Sequence, residues 1–211
     1  MKIIGKLSAA AVASLALVSL AHAAAIGPYA GIGLGYSKLE TPSITQTNIP
    51  GVISTSEDKG GLGGRLFAGY NFNEYLGLEA SVNDFANSTY KANSSLLGMN
   101  QKLQYSLLSE NLVAKAYLPI QNSGVNVYAL GGAAYVQSQA KLTSNVPGMS
   151  ATYKTNAIRP VAGIGVSYDA SRNITAGVEA SRIFGRGNLK TSNSAIPNAD
   201  MVSFNISYNF N

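Results

Sequence analysis

The sequence predicts an all-β protein, an eight-stranded antiparallel up-and-down transmembrane β-barrel with long extracellular loops and short periplasmic turns. Three observations carry that expectation. Side-chain character alternates with period two in eight separate segments, the signature of strands whose two faces meet different surroundings. The connections between those segments alternate long and short, as the two rims of an outer-membrane barrel do. Finally, of 211 residues 12% are charged and 46% hydrophobic, too little charge for an ordinary water-facing surface. Beyond the N-terminus no apolar run is long enough for a membrane-spanning helix.

The N-terminus is set apart by its composition. MKIIGK is basic, LSAAAVASLALVSL apolar, and AHA a small-residue box. This order predicts a secretory signal peptide over residues 1–23, cleaved after Ala23, with the barrel domain over residues 24–211. A membrane-anchoring helix is the competing reading, but the run is short and ends in a cleavage box rather than a stop-transfer charge cluster. Cleavage removes Lys2 and Lys6, so the formal charge falls from +5 to +3. That balance argues for no nucleic-acid partner. Cleavage also removes His22, the single histidine, and the chain has no Cys and no Trp.

The strands follow in order. In GPYAGIGLGYSK, Ala30, Ile32, Leu34 and Tyr36 alternate with Tyr29, Gly31, Gly33, Gly35 and Ser37. In GGRLFAGYNF, Leu66, Ala68, Tyr70 and Phe72 oppose Arg65, Phe67, Gly69 and Asn71. In YLGLEASVNDF, Leu76, Leu78, Ala80 and Val82 oppose Gly77, Glu79, Ser81 and Asn83. NLVAKAYLPI sets Leu112, Ala114, Ala116 and Leu118 against Asn111, Val113 and Lys115, and VNVYALGGAAYVQ follows. The sixth segment, from Tyr153 to Tyr168, sets Ile158, Ala162, Ile164 and Val166 against Arg159, Gly163, Gly165 and Ser167. NITAGVEASRIF sets Ile174, Ala176, Val178 and Ala180 against Thr175, Gly177, Glu179 and Ser181. In VSFNISYNF, Val202, Phe204, Ile206, Tyr208 and Phe210 alternate with Ser203, Asn205, Ser207 and Asn209.

Brief turns join segments two to three at Asn73-Glu74, four to five at Pro119 to Gly124, and six to seven at Asp169 to Arg172. The other connections are polar and longer, the first running roughly from Ser37 to Leu62. Both chain termini then fall on the short-turn side.

Alternation alone fits a soluble ligand-binding barrel as well, with its apolar face inward. The opposite face decides between them. Gly31, Gly33, Phe67, Gly69, Gly163 and Gly165 make a poor soluble surface, whereas small residues suit the narrow lumen of an eight-stranded barrel. Aromatics gather at both rims: Phe72, Tyr75, Tyr128, Tyr168, Tyr208 and Phe210 toward the short turns, and Tyr36, Phe85, Tyr90, Tyr153 and Phe184 toward the long loops. Such girdles belong at membrane interfaces.

Five charges share the inward parity: Arg65, Glu79, Lys115, Arg159 and Glu179. Unpaired burial of any would be costly, so Glu79–Lys115 and Glu179–Arg159 contacts are expected, with Arg65 bridging to either carboxylate. This lumen ionic network would plug and specify the barrel; a gated small-ion path is the other reading. Nine of the thirteen remaining basic residues lie at or beyond the outer rim: Lys38, Lys59, Lys91, Lys102, Lys141, Lys154, Arg182, Arg186 and Lys190. Arg182, Arg186 and Lys190 are candidate lipopolysaccharide contacts, because cations are favoured beside phosphorylated head groups. Solubility of the loops is the alternative for the lysines.

PYAGIGLGYSK, GGRLFAGYNFNEYLGLEAS, LVAKAYLPI, YALGGAAY and the terminal SFNISYNF together resemble the eight-stranded transmembrane domain of outer membrane protein A and its small relatives. The resemblance covers essentially the whole chain after the signal. In that family an inward Glu on the third strand and an inward Lys in a TAKLGYPI-like segment join a lumen ionic network, and Glu79 and Lys115 match those positions. The family's inward Glu near the end of the sixth strand and inward Arg on the seventh fall here at Ser167 and Gly177. No peptidoglycan-binding domain is expected after the barrel, and the C-terminal aromatic pattern resembles the family's assembly signal. The resemblance implies outer-membrane lipids and lipopolysaccharide as surroundings, with periplasmic chaperones and the barrel-assembly machinery as partners during biogenesis.

No catalytic, cofactor-binding or metal-ligating residues are expected. Barrel enzymes generally need a histidine base. GxGxG at Gly31 to Gly35 lies inside a strand with no helix behind it, so it does not cradle a phosphate. Glu57-Asp58 reads as solvated loop charge. Glu110 has lipid-facing parity, and Leu107-Leu108 hints at a bulge just before it. The expected function is therefore a non-enzymatic integral outer-membrane protein that stabilises the envelope and displays surface loops. The other readings are an adhesin or host-factor binder acting through the loops, and a narrow small-solute or ion pore.

Overall fold

The computed structural model describes residues 26–40, 52–58, 60–94, 99–120, 123–145, 150–185 and 196–210. Residues 1–23, expected as a signal peptide, lie outside them, as do Arg186 and Lys190. Nine strand segments follow one another: β1 (Gly27–Glu40), β2 (Val52–Asp58), β3 (Gly60–Asn71), β4 (Leu76–Ser94), β5 (Met99–Ile120), β6 (Val125–Ser144), β7 (Ala151–Asp169), β8 (Ile174–Ile183) and β9 (Asn198–Asn209). Every pairing is antiparallel between neighbours around the ring, and β9 returns to β1, with Ile32 opposite Ile206, to close it. β2 and β3 pair with successive stretches of β4, Asp58 opposite Thr89 and Gly64 opposite Asp84. They are two parts of one wall position, so the barrel has eight strands.

Burial runs opposite to that of a soluble protein. Along β9, Ser203 and Asn205 are 2% and 8% exposed, while Val202 and Phe204 are 51% and 54% exposed. Leu66, Leu112, Leu118, Ile158 and Ile164 also stand exposed on the outer wall. A sheet with polar groups inside and aliphatic side chains outside is stable only where the outside is not water.

The short turns are closed by side chains that take up orphan backbone donors. Asn73 Oδ1 accepts from the backbone N–H groups of Tyr75 and Leu76, both at 2.8 Å. Ser171 Oγ serves Asn173 and Ile174 in the same way, at 3.3 and 3.0 Å. Such local side-chain bonds are why Asn and Ser initiate turns.

The wall is uneven in height. β4 to β7 run for 19, 22, 20 and 19 residues, against 10 for β8 and 12 for β9. Much of what reads as polar connection in the sequence thus continues as strand. A register shift between Phe85 and Ser88 in β4 marks a bulge, and the freed backbone N–H of Ala86 donates to Ser37 Oγ at 2.7 Å. The bulge expected at Leu107-Leu108 falls instead on the facing strand: the extra residues of β4 lie opposite Ser106, β5 itself pairs continuously with β6, and Glu110 keeps its outward position between Val82 and Tyr135.

The girdle expectation needs four corrections. Tyr128, Phe85 and Tyr90 are 6%, 5% and 6% exposed and point into the lumen. Tyr153 pairs with Ala140 and shares the inward parity of Arg159, standing above the packed interior. The other rim aromatics, including Tyr36, Phe72, Tyr168, Tyr208 and Phe210, are exposed on the outer wall.

Candidate functional site: a closed lumen

The lumen is built in two layers. The lower layer, three to six residues above the short-turn strand ends, holds Arg65 of β3, Glu79 of β4, Lys115 of β5 and Glu179 of β8. β4 and β8 stand on opposite sides of the ring, so the two carboxylates reach toward each other across the axis. Each cation touches both. Arg65 Nη2 lies 2.5 Å from Glu79 Oε1, and Arg65 Nη1 donates to Glu179 Oε1. Lys115 Nζ lies 2.6 Å from Glu79 Oε2 and 3.3 Å from Glu179 Oε2.

Two phenols complete the carboxylate shells. Tyr29 donates to Glu79 Oε2 and Tyr128 to Glu179 Oε2, each at 3.0 Å. The cations also lie against ring faces, Arg65 at 4.9 Å from the centre of Phe67 and Lys115 at 4.8 Å from that of Tyr128. Such contacts hold a desolvated cation at little cost. The four side chains carry no net charge together and expose between 0% and 7% of their surface.

The sequence makes room for this cluster with glycines. Tyr29 stands opposite Gly69 and Tyr128 opposite Gly165 in register. A Cβ at either glycine would meet the tyrosine ring. The phenols therefore lie flat across the neighbouring strand, where their hydroxyls reach the carboxylates. Glycine in a strand marks this kind of close approach.

Of the five inward charges read from the sequence, Arg159 alone stands apart. It lies ten residues above the short-turn end of β7, whereas Glu179 is five above that of β8, and β8 ends at Ile183 opposite Val161. The expected Glu179–Arg159 contact is therefore not made. Arg65 and Lys115 hold Glu179, and Arg159 Nη1 donates to the carbonyl of Ile158 at 3.3 Å.

Above the charges lies a layer absent from the sequence expectation. Leu39, Phe85, Leu107, Val136, Ile183 and Met201 pack together in the half of the lumen away from the short turns, none more than 5% exposed. A cavity of about 60 Å³ opens from Arg65, Glu79 and Lys115 down to Asn126, Asp169, Thr175 and Asn209. Thr175 and Asn126 donate to Asp169 at 2.6 and 3.1 Å, and Asn209 to Thr175 at 3.0 Å. That volume accommodates roughly four to six waters.

On the outer wall, Arg182 is held by two carboxylates. It makes a two-pronged bond to Asp200, at 2.6 and 2.7 Å, and a further contact at 2.5 Å to Glu40. Its charge is thus met by the chain itself.

The sequence model for the OmpA-like transmembrane domain matches residues 23–211. An uncharacterized protein of Coxiella burnetii is 30% identical over 210 residues, covering 86% of this chain and 82% of its own length. Outer membrane protein A of Salmonella typhi is 29% identical over 93% of this chain. The match takes in 53% of that relative, so the chain spans about half its length. Among solved structures, Neisserial surface protein A aligns over 87% of this chain and 97% of its own, with a TM-score of 0.57 and 17% identity. OprG of Pseudomonas aeruginosa aligns over 89% and 98%, with a TM-score of 0.54 and 12% identity. At these identities the structural likeness concerns the fold.

Proposed function

Because the chain belongs to the OmpA-like transmembrane domain family and is an outer-membrane β-barrel, we propose that it is a sealed, non-enzymatic envelope protein. In this reading it stabilises the membrane and displays loops rather than passing solutes. One observation carries the proposal: the neutral quartet of Arg65, Glu79, Lys115 and Glu179 is capped by the apolar layer of Leu39, Phe85, Leu107, Val136, Ile183 and Met201. An ion would have to break a buried salt-bridge network and then cross a dry aliphatic stretch. Either step is costly. The polar cavity at the short-turn end is a blind vestibule.

The same reading includes export by removal of residues 1–23, and delivery by periplasmic chaperones to the barrel-assembly machinery. The tall β4–β7 wall also suits surface display, so adhesion through the loops remains a second role for the same scaffold. Planar-bilayer recording of the refolded protein tests the seal. Wild type and Lys115→Met are both expected to be silent, since the apolar layer survives that substitution. Resolved conductance steps in wild type would establish the pore reading instead.

A further inference from the structure

Four lysines outside the lumen line up on the outer wall. Lys91 on β4, Lys102 on β5, Lys141 on β6 and Lys154 on β7 are all exposed. Each lies 15 to 18 residues from the periplasmic end of its strand. Lys91 and Lys102 are direct cross-strand partners. Lys102 faces Thr143, two residues from Lys141, and Lys141 faces Thr152, two residues from Lys154. Direct and diagonal partners are the neighbours that interact on a sheet face. The four ammonium groups therefore form one ladder across four successive strands.

Nothing described in the chain neutralises it. None of the four makes an ion pair among the described residues. The outward acids on these strands are Asp84, beneath the bulge, and Glu110, eight residues below Lys102. Asp58, opposite Thr89, is the single acid diagonal to the ladder. The opposite side of the barrel differs, for there Arg182 is matched by Asp200 and Glu40. Like charges set directly opposite destabilise a strand pair, so the ladder calls for an external anion.

We propose that this ladder binds the phosphorylated saccharide head group of the outer-leaflet glycolipid. The face below it settles the source of the anion. The same wall continues downward as Leu108, Leu112, Tyr135 and Ile158, which face acyl chains, so the molecule beside the lysines is a lipid of that leaflet. Lys102 stands six residues above Leu108, and Lys154 four above Ile158. At ~3.3 Å per residue and ~40° tilt, these are roughly 10–15 Å above the apolar edge. That height suits sugar phosphates rather than acyl chains. Gln104, Gln139, Thr143 and Thr152 stand opposite the lysines in register and offer hydrogen bonds to sugar hydroxyls.

The proposal rests on the outer-membrane orientation of the proposed function, and its test separates the two. The refolded full chain in detergent is titrated with purified lipopolysaccharide, with the same material after enzymatic dephosphorylation, and with a soluble sulfated glycan. Binding is followed by native-gel shift. Wild type is expected to bind the phosphorylated lipid in a salt-sensitive way. Replacing all four lysines with Gln is expected to weaken that binding about tenfold or more. Lys141→Gln with Lys154→Gln serves as a milder variant if the quadruple one misfolds, and should show a smaller loss. Equal binding by the variant, equal binding of dephosphorylated lipid, or binding of the sulfated glycan alone would each overturn the assignment. Since the chain has no cysteine, Thr143→Cys probes orientation with an impermeant maleimide on intact cells. Labelling there combined with unchanged lipid binding would remove the ladder and leave the orientation standing. Labelling only after lysis would remove both.

Discussion

Replacing Lys115 with Met tests the lumen cluster most directly. Met keeps an unbranched chain of similar length and removes the ammonium, so packing against Phe67 and Tyr128 changes little while two ionic contacts disappear. Those contacts, at 2.6 Å to Glu79 and 3.3 Å to Glu179, are shielded from water. Arg65 and the two tyrosines remain, but the lumen then holds two carboxylates against one cation. Breaking a buried pair by removing one partner costs about 3–5 kcal/mol. Membership of a network with a second cation places Lys115→Met toward the lower end, about 3 kcal/mol. That is a large fraction of the ~5–15 kcal/mol that holds a typical domain. Adding Glu179→Gln restores neutrality, leaving Arg65 with Glu79 and keeping an amide for Tyr128 to donate to. The double variant should recover about half of the loss. Urea unfolding in lipid vesicles, followed by far-UV circular dichroism because the chain lacks tryptophan, measures each step. A Lys115→Met midpoint equal to that of wild type would refute the reasoning. So would a double variant no more stable than the single, because charge imbalance would not then be the cause.

Other perturbations separate the remaining physical terms. Gly165→Val should push the Tyr128 ring off the strand and detach it from Glu179, costing about 1–3 kcal/mol in the same unfolding experiment; retention of wild-type stability would show that the ring has room elsewhere. Glu110→Leu should stabilise the protein by about 1 kcal/mol in vesicles, since it removes an acid from the outer wall beside Val82 and Tyr135, and a destabilised variant would place that position outside the lipid. Neutralising the whole quartet, with Arg65→Met, Lys115→Met, Glu79→Gln and Glu179→Gln, should leave stability within about 2 kcal/mol of wild type. It should also yield more than one folded species by native gel, and a single sharp band would show that the charges do not specify the barrel.

The fold was legible because a barrel in lipid imposes period two on every strand, and eight segments obey it. Glu79 with Lys115 was legible for a local reason: they sit on adjacent strands at similar height, so counting residues from the turn suffices. Arg159 was misplaced because parity gives the face and not the height. A charge ten residues up its strand cannot reach one five residues up the next when Val161 and Ile183 fill the space between. The apolar layer escaped notice for two reasons. Leu39 and Leu107 fall in stretches whose Ser, Thr and Gln content reads as loop, and the bulge in β4 falls just after Phe85, at the position read as a girdle aromatic. Tyr128 carries the inward parity of Asn126 and Leu130, a parity that the sequence reading of VNVYALGGAAYVQ leaves unassigned, so its place near the short turns reads as a girdle position. The glycines opposite Tyr29 and Tyr128 were visible as small lumen residues, but the rings they accommodate appear only once the register between strands is known.

The two layers divide the work between direction and bulk. Aliphatic packing in the upper lumen is nearly indifferent to which strand supplies which methyl group, since hydrophobic burial has no preferred direction. It excludes water from any closed arrangement of roughly the right volume. The quartet below is the reverse. Its six ionic and phenolic contacts tie β1, β3, β4, β5, β6 and β8 at one level. A slip of one residue on any of those strands would turn its charge or phenol to lipid, and a slip of two would carry it about 7 Å along the strand, out of hydrogen-bond range. The cost of either error is an uncompensated buried charge, about 3–5 kcal/mol, against the loss of about one side chain's packing in the layer above. The charges therefore fix the register in which the apolar layer closes the lumen. On this account Lys115 in the comb of NLVAKAYLPI serves to align β5 with its neighbours, and the leucines of the same segment serve to face the lipid.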